Sequence, residues 1–75
     1  MTAYYFHCTD GYALVLDRRG HRVRSRREAE RVAFAVAGGL MQASPGARDW
    51  SRWLVSVHDG RGGMVTVVPF PLGQA

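Results

Sequence analysis

Lysine, isoleucine and asparagine are missing from this 75-residue sequence, and cysteine occurs once, at Cys8. A single cysteine excludes an intramolecular disulfide, and without a Cys-x-x-Cys spacing the common thiolate metal sites are excluded too. That usage fits a reduced, intracellular setting. No run of about 18 apolar residues is present to cross a bilayer. The start "MTAYYFHCTD" also lacks the basic residues and apolar core of a secretory signal. The expectation is a soluble, cytoplasmic protein with no membrane partner.

Acidic residues are scarce as well, six against ten basic ones, which leaves a net charge of +4. Clustered basic residues are the usual footprint of nucleic-acid binding. Here all ten are arginine, and a GC-rich coding genome would give the same exchange of lysine for arginine. Where the arginines lie therefore matters more than how many there are. The length fits one domain, residues 1–75, with no repeat or linker. A chain of this size buries only about 60% of its unfolded surface, so very good packing or a partner is expected to complete it.

What is present reads as strand, strand, helix, strand, strand. Aromatic residues 3–8 lead into Asp10-Gly11, a dipeptide that favours a tight hairpin, and "YALVL", Tyr12–Leu16, forms the returning strand. "DRRGH", Asp17–His21, has turn chemistry, with an Asp side chain that bonds its own backbone and a permissive glycine. "SRRE" from Ser25 matches a capping box, and Ala29, Val32, Ala33, Val36, Ala37, Leu40 and Met41 recur at helical spacing to about residue 43. Phe34 falls off that stripe. Gly38-Gly39 implies a close backbone approach or early fraying, since each glycine costs up to about 1 kcal/mol in a helix. "ASPGARD", Ala43–Asp49, is punctuated as a loop. From Trp50 the period becomes two, with Trp53, Val55 and Val57 on one side and Arg52, Leu54, Ser56 and His58 on the other. "DGRGG" then turns the chain into "MVTVVPF", where Pro69 suits an edge or a strand end. The fold class is α+β: a four-stranded, mainly antiparallel sheet with one helix packed on one face.

Taken in order, "YYFHCTDG", "DRRGHRV", "EAERVAFAVAGGL" and "WLVSVHDGRGGMVTVVPF" resemble a family of short bacterial proteins catalogued only as a domain of unknown function. The likeness covers nearly the whole chain. Its specific elements are Tyr5-Phe6-His7, Asp10-Gly11, Asp17 with Gly20, Glu28-Ala29 and Val68-Pro69-Phe70. The resemblance implies no activity, cofactor or catalytic residue. The arginines crowded between residues 18 and 31 depart from the more acidic look of that family.

Seven of the ten arginines, Arg18, Arg19, Arg22, Arg24, Arg26, Arg27 and Arg31, fall within those fourteen residues. Cations at a helix start are unfavourable by about 0.3–1 kcal/mol each, so guanidinium forks around a capped helix could instead hold a phosphate or a nucleic-acid backbone. The blander reading is a solvated face offset by Asp17, Glu28 and Glu30. His7, His58 and Cys8 suggest a metal at first sight. Adjacent strand residues point to opposite faces, however, and no third and fourth ligands are at hand, so neither metal nor cofactor is expected. Cys8 reads as a core side chain without the base and orienting group that a nucleophile needs. The glycines of "DGRGG" lack the following helix of a phosphate loop. Trp50 and Trp53 do not match the signature of sheet-based RNA binders, and core packing is the default for Trp53.

A two-residue hairpin at Asp10-Gly11 sets Cys8 opposite Ala13, His7 opposite Leu14, Phe6 opposite Val15 and Tyr5 opposite Leu16. Opposed residues share a face. One face then carries Tyr4, Phe6, Cys8, Ala13 and Val15, and the other carries Tyr5, His7, Leu14 and Leu16, with Leu54 from the third strand. One helix buries one face. The expected function is a non-enzymatic interaction module that self-associates through the uncovered face, using Tyr5, His7, Leu14, Leu16 and Leu54. Its partner is then a second copy or another protein. The alternative is weak, sequence-independent binding of nucleic acid or another polyanion by Arg18, Arg19, Arg22, Arg24, Arg26 and Arg27. An enzyme ranks last, because no acid/base constellation survives these geometric checks.

Overall fold

A computed structural model describes residues 2–44 and 49–71. Five strands and one helix follow in the order β1 (Thr2–Thr9), β2 (Leu14–Val15), β3 (His21–Val23), α1 (Arg26–Ala43), β4 (Leu54–His58) and β5 (Met64–Pro69). All pairings are antiparallel. The sheet runs β2-β1-β4-β5, and β3 pairs with the start of β1. The α+β class and the helix on one face are as the sequence implies, and β3 is an addition. Most of residues 43–49 expected as a Pro-Gly loop, namely 45–48, lie outside the described residues. Among the described residues no helix is long and apolar enough to cross a membrane.

The first hairpin differs from the expected register. Cys8 faces Val15 and Thr9 faces Leu14, so residues 10–13 make the connection. Side chains decide this. Asp10 Oδ1 accepts from the N–H groups of Tyr12 and Ala13 at 2.9 and 2.8 Å. Thr9 Oγ1 accepts from Gly11 N–H and donates to the Ala13 carbonyl at 2.6 Å. Those bonds draw Tyr12 and Ala13 into the turn and leave Tyr12 93% exposed. The slip is two residues, so Leu14 and Val15 keep their expected faces, while Ala13 and Leu16, expected in the strand, fall outside it.

Beyond β2 the chain makes an excursion. Residues 16–20 stand against only Tyr5, Phe6 and His7 of β1, because Val15 pairs with Cys8 and His21 with Tyr4. Asp17 fills the gap: its Oδ1 accepts from Arg19 N–H and Gly20 N–H, and its Oδ2 from Phe6 N–H. Gly20 sits at φ +75°, and a Cβ there would come within 3.1 Å of the Tyr4 carbonyl and 3.0 Å of the Tyr5 ring. Both the conformation and the space call for glycine. The Asp17 turn is thus as expected, and the strand that follows it was too short to show a period.

The helix starts where the capping box places it. Ser25 Oγ accepts from Glu28 N–H at 3.1 Å, and Glu28 Oε1 reaches back to Arg24 N–H. Ala29, Ala33 and Ala37 are fully buried against the sheet, while Val32, Val36, Leu40 and Met41 pack around them. Small residues in the contact line let the helix settle directly on Phe6, Cys8, Val55, Val57 and Val68. Phe34 lies off the stripe and is half-exposed. Gly38 and Gly39 mark neither a close approach nor an end, since open space lies beside both and the helix continues to Ala43.

β4 alternates as read, with Val55 and Val57 buried beneath the helix beside Trp53. Trp50, Trp53 and Phe70 pack ring against ring at 5.1–5.8 Å, closing one end of the core. Asp59 forms the last turn by accepting from the N–H groups of Arg61 and Gly63. β5 is an edge strand ending at Pro69, where its missing donor costs no ladder bond.

Candidate functional site

Register places the side chains of the face that the helix leaves open. Across β1 and β4, Tyr5 faces His58, His7 faces Ser56 and Thr9 faces Leu54. β2 adds Leu14 opposite Thr9, and β5 adds Pro69, Val67 and Met64 opposite Leu54, Ser56 and His58. Alternation puts these residues on the side away from Phe6, Val55 and Val57, and Met64 joins them through a register shift between Val57 and His58. Leu14, Met64 and Val67 are 58%, 64% and 41% exposed, and Tyr5, His7, Leu54 and His58 are partly covered. Tyr5, His7, Leu14 and Leu54 are thus brought together. Leu16 lies just past β2, half-exposed at the margin.

The middle of this face is a polar group. Ser56 Oγ lies 2.7 Å from His58 Nε2, and His58 Nδ1 lies 3.3 Å from the Gly62 carbonyl. A carbonyl only accepts, so Nδ1 carries the proton and the serine hydroxyl donates to Nε2. The His7 ring stands 5.3 Å from that of His58 and accepts through Nδ1 from Asp17 N–H at 3.0 Å. Ser56 is 9% exposed and buried in the sheet surface. The arrangement resembles a nucleophile and its base in outline, but the hydroxyl is covered, and a backbone carbonyl rather than a carboxylate faces His58 Nδ1. Its chemical effect is to give Ser56 Oγ, both His58 nitrogens and His7 Nδ1 partners within the chain. The period of two already set Ser56 and His58 on one side; the Gly62 carbonyl, brought back by the Asp59 turn, is the part with no sequence signal.

Charge is confined to the margins. Arg22, opposite Ala3 in β3, is the one charged side chain at a strand position on the open face among the described residues. Asp17 sits at the edge with its carboxyl held below the usual range. Burial pushes it up, but the N–H groups of Gly20, Phe6 and Arg19, with His21 nearby, outweigh that. Cys8 points the other way, under the helix, where burial and then the Asp17 charge push its thiol up. His7 and Cys8 thus lie on opposite faces, and among the described residues no group of three His, Cys, Asp or Glu side chains could hold a metal ion.

The arginine segment spans three elements. Arg18 and Arg19 flank the Asp17 turn, Arg22 lies in β3, Arg24 in the link, and Arg26, Arg27 and Arg31 on α1. All seven are exposed. Arg26 Nη2 lies 3.4 Å from Thr66 Oγ1 and its Nε 3.9 Å from Glu30. The helix start already holds an anion of its own, the Glu28 carboxylate on Arg24 N–H. Trp53 is 5% exposed in the core and presents no stacking platform for a base. Met64 and Val67 are the members of the open face that sequence reasoning missed, since the last strand is apolar on both sides.

Residues 3–71 match the family model described as Domain of unknown function (DUF6894). No curated protein and no solved structure matches the chain.

Proposed function

We propose that this chain, which belongs to the DUF6894 family, is a non-enzymatic interaction module that pairs with a second copy of itself through the open face of its sheet. The observation that carries this reading is the set of exposed apolar side chains, Leu14, Met64 and Val67, around the hydrogen-bonded Ser56, His58 and His7 group. Apolar patches of this kind on small domains mark interfaces. Charge at this face is compatible with a second copy as the occupant. A chain of net charge +4 repels its twin unless the contact is free of arginine, and this face keeps Arg22 to its corner. A twofold pairing buries the same patch twice and gives so short a chain a second core layer. The lone, buried Cys8 suits a reducing, cytoplasmic setting.

Light scattering at micromolar concentration tests this. The wild type is expected at twice the chain mass and Leu14→Glu at the chain mass, while Phe34→Glu, on the outer side of the helix, stays paired. A monodisperse wild-type monomer, or a Leu14→Glu protein that stays dimeric, overturns it.

A second reading rests on the exposure of all seven arginines from Arg18 to Arg31. They would bind a polyanion weakly, without sequence preference and with a steep loss on adding salt. Replacing Arg22, Arg24, Arg26 and Arg27 with alanine should abolish any retention on a nucleic-acid column. Unchanged retention removes this reading.

A further inference from the structure

Two hydrogen bonds tie the 16–20 excursion to β1, and they cross. Asp17 N–H donates to His7 Nδ1 at 3.0 Å, and Phe6 N–H donates to Asp17 Oδ2 at 3.1 Å. Each residue of the pair lends its side chain to the other strand's backbone. The first bond sets the protonation state of the ring, because a nitrogen that accepts must carry its lone pair, which leaves the proton on Nε2. A second proton can go only to Nδ1, where it meets an N–H already aimed at it. Imidazolium has two donors and no acceptor, so the bond cannot survive.

We propose that His7 is a proton-operated latch on the segment between β2 and β3: the neutral ring holds Asp17 in place, and the protonated ring lets it go. The groups around the ring act on its charge in opposite directions. His58 of β4, 5.3 Å away, takes a proton without losing a partner, because the Ser56 hydroxyl can turn from donor to acceptor. A charged His58 then opposes charge on His7. Ser56, directly opposite His7, is neutral. The Asp17 carboxylate attracts a charged ring, but Phe6, Arg19 and Gly20 N–H groups occupy its oxygens, and His21 of β3 lies 3.6 Å from Oδ2. Arg18 and Arg19 flank it in the turn. The helix lies on the other face. Asp17 stays ionised across the range where imidazole titrates, so the carboxylate bond holds while the imidazole bond is lost. Opening frees the short edge beside Leu16 without dismantling the core.

The latch can be read in monomer or dimer by nitrogen-15 NMR between about pH 8 and pH 5, the imidazole range. At the upper end the His7 ring is expected as the Nε2–H tautomer. On acidification the Asp17 amide, corrected for intrinsic exchange, should lose protection about tenfold relative to the Val57 amide in the sheet centre, in step with the His7 ring signals. His7→Asn puts a non-titrating acceptor near the position of Nδ1 and should make Asp17 protection independent of pH. An Nδ1–H tautomer at the upper end overturns the latch. So does Asp17 protection that ignores the titration of His7, a loss shared equally by Val57, or the same loss in a folded His7→Asn protein. The wild-type measurements decide the matter even if that variant does not fold.

Discussion

Beneath the helix, Phe6, Val55 and Val57 are 1%, 0% and 0% exposed, whereas Leu14, Met64 and Val67 on the opposite face are 58%, 64% and 41% exposed. Both faces are built from the same strands and both are rich in apolar side chains. They differ in what faces them. On the covered side three helix alanines bring a backbone close enough to exclude water. On the open side Ser56 bonds His58, and His7 accepts from the Asp17 N–H, so polar atoms at its centre are engaged within the chain and apolar side chains surround them.

Removing a large side chain from each region should break the symmetry of composition and expose the difference in energy. Phe6→Ala, which empties the covered face, is expected to lower unfolding stability by about 4 kcal/mol, as read by urea denaturation. A loss below about 1 kcal/mol would show that the helix packs loosely on the sheet.

The edge between the faces comes next. Asp17→Ala removes the acceptor from Phe6, Arg19 and Gly20 N–H groups, and charged acceptors of this kind contribute about 1.5–3 kcal/mol each when their donors lose solvent. Because the turn is partly exposed, a total near 3 kcal/mol is expected. The pH dependence fixes the sign. The folded-state pKa of Asp17 is lowered, so its contribution is present above the ordinary carboxylate pKa and is lost as pH falls through the folded value. Wild-type and Asp17→Ala melting curves should therefore converge at strongly acid pH. A gap that stays constant down to acid would assign the effect to packing.

Ser56→Ala, on the open face, is the smallest change. It deletes a covered hydroxyl that donates to His58 Nε2, and about 1 kcal/mol is expected, measured by thermal melting. An effect as large as that of Phe6→Ala would mean that the open face, too, is a core.

What could be read from sequence follows the same division. The capped helix was legible because Ser25 and Glu28 mark its start and seven apolar residues repeat at its period. Tyr5, His7, Leu14 and Leu54 were assigned to one face because strand parity needs only their spacing. The hairpin register was not legible, since it depends on which N–H groups Asp10 captures, and Asp-Gly is compatible with more than one loop length. β3 was hidden because three residues with one buried member, Val23, make no pattern. Met64 and Val67 were hidden for the opposite reason, in a strand apolar throughout. Spacing alone put Ser56, His58 and His7 on one side, but their bonds were not legible, because two of the partners are the Gly62 carbonyl and the Asp17 N–H.

The excursion at Asp17 also sets a rule for how this chain can change length. Five residues stand there against three, a surplus of two, and the preceding hairpin differs from its tightest form by two as well. Surplus in pairs leaves inward and outward positions as they were, while a single added or deleted residue turns every later side chain of that edge over. An odd change between Val15 and His21 would bring Arg22 under the helix in place of Val23. Even changes leave Val23 where it is. Natural or engineered length variants of this edge should therefore come in steps of two, as a matter of parity rather than of loop flexibility.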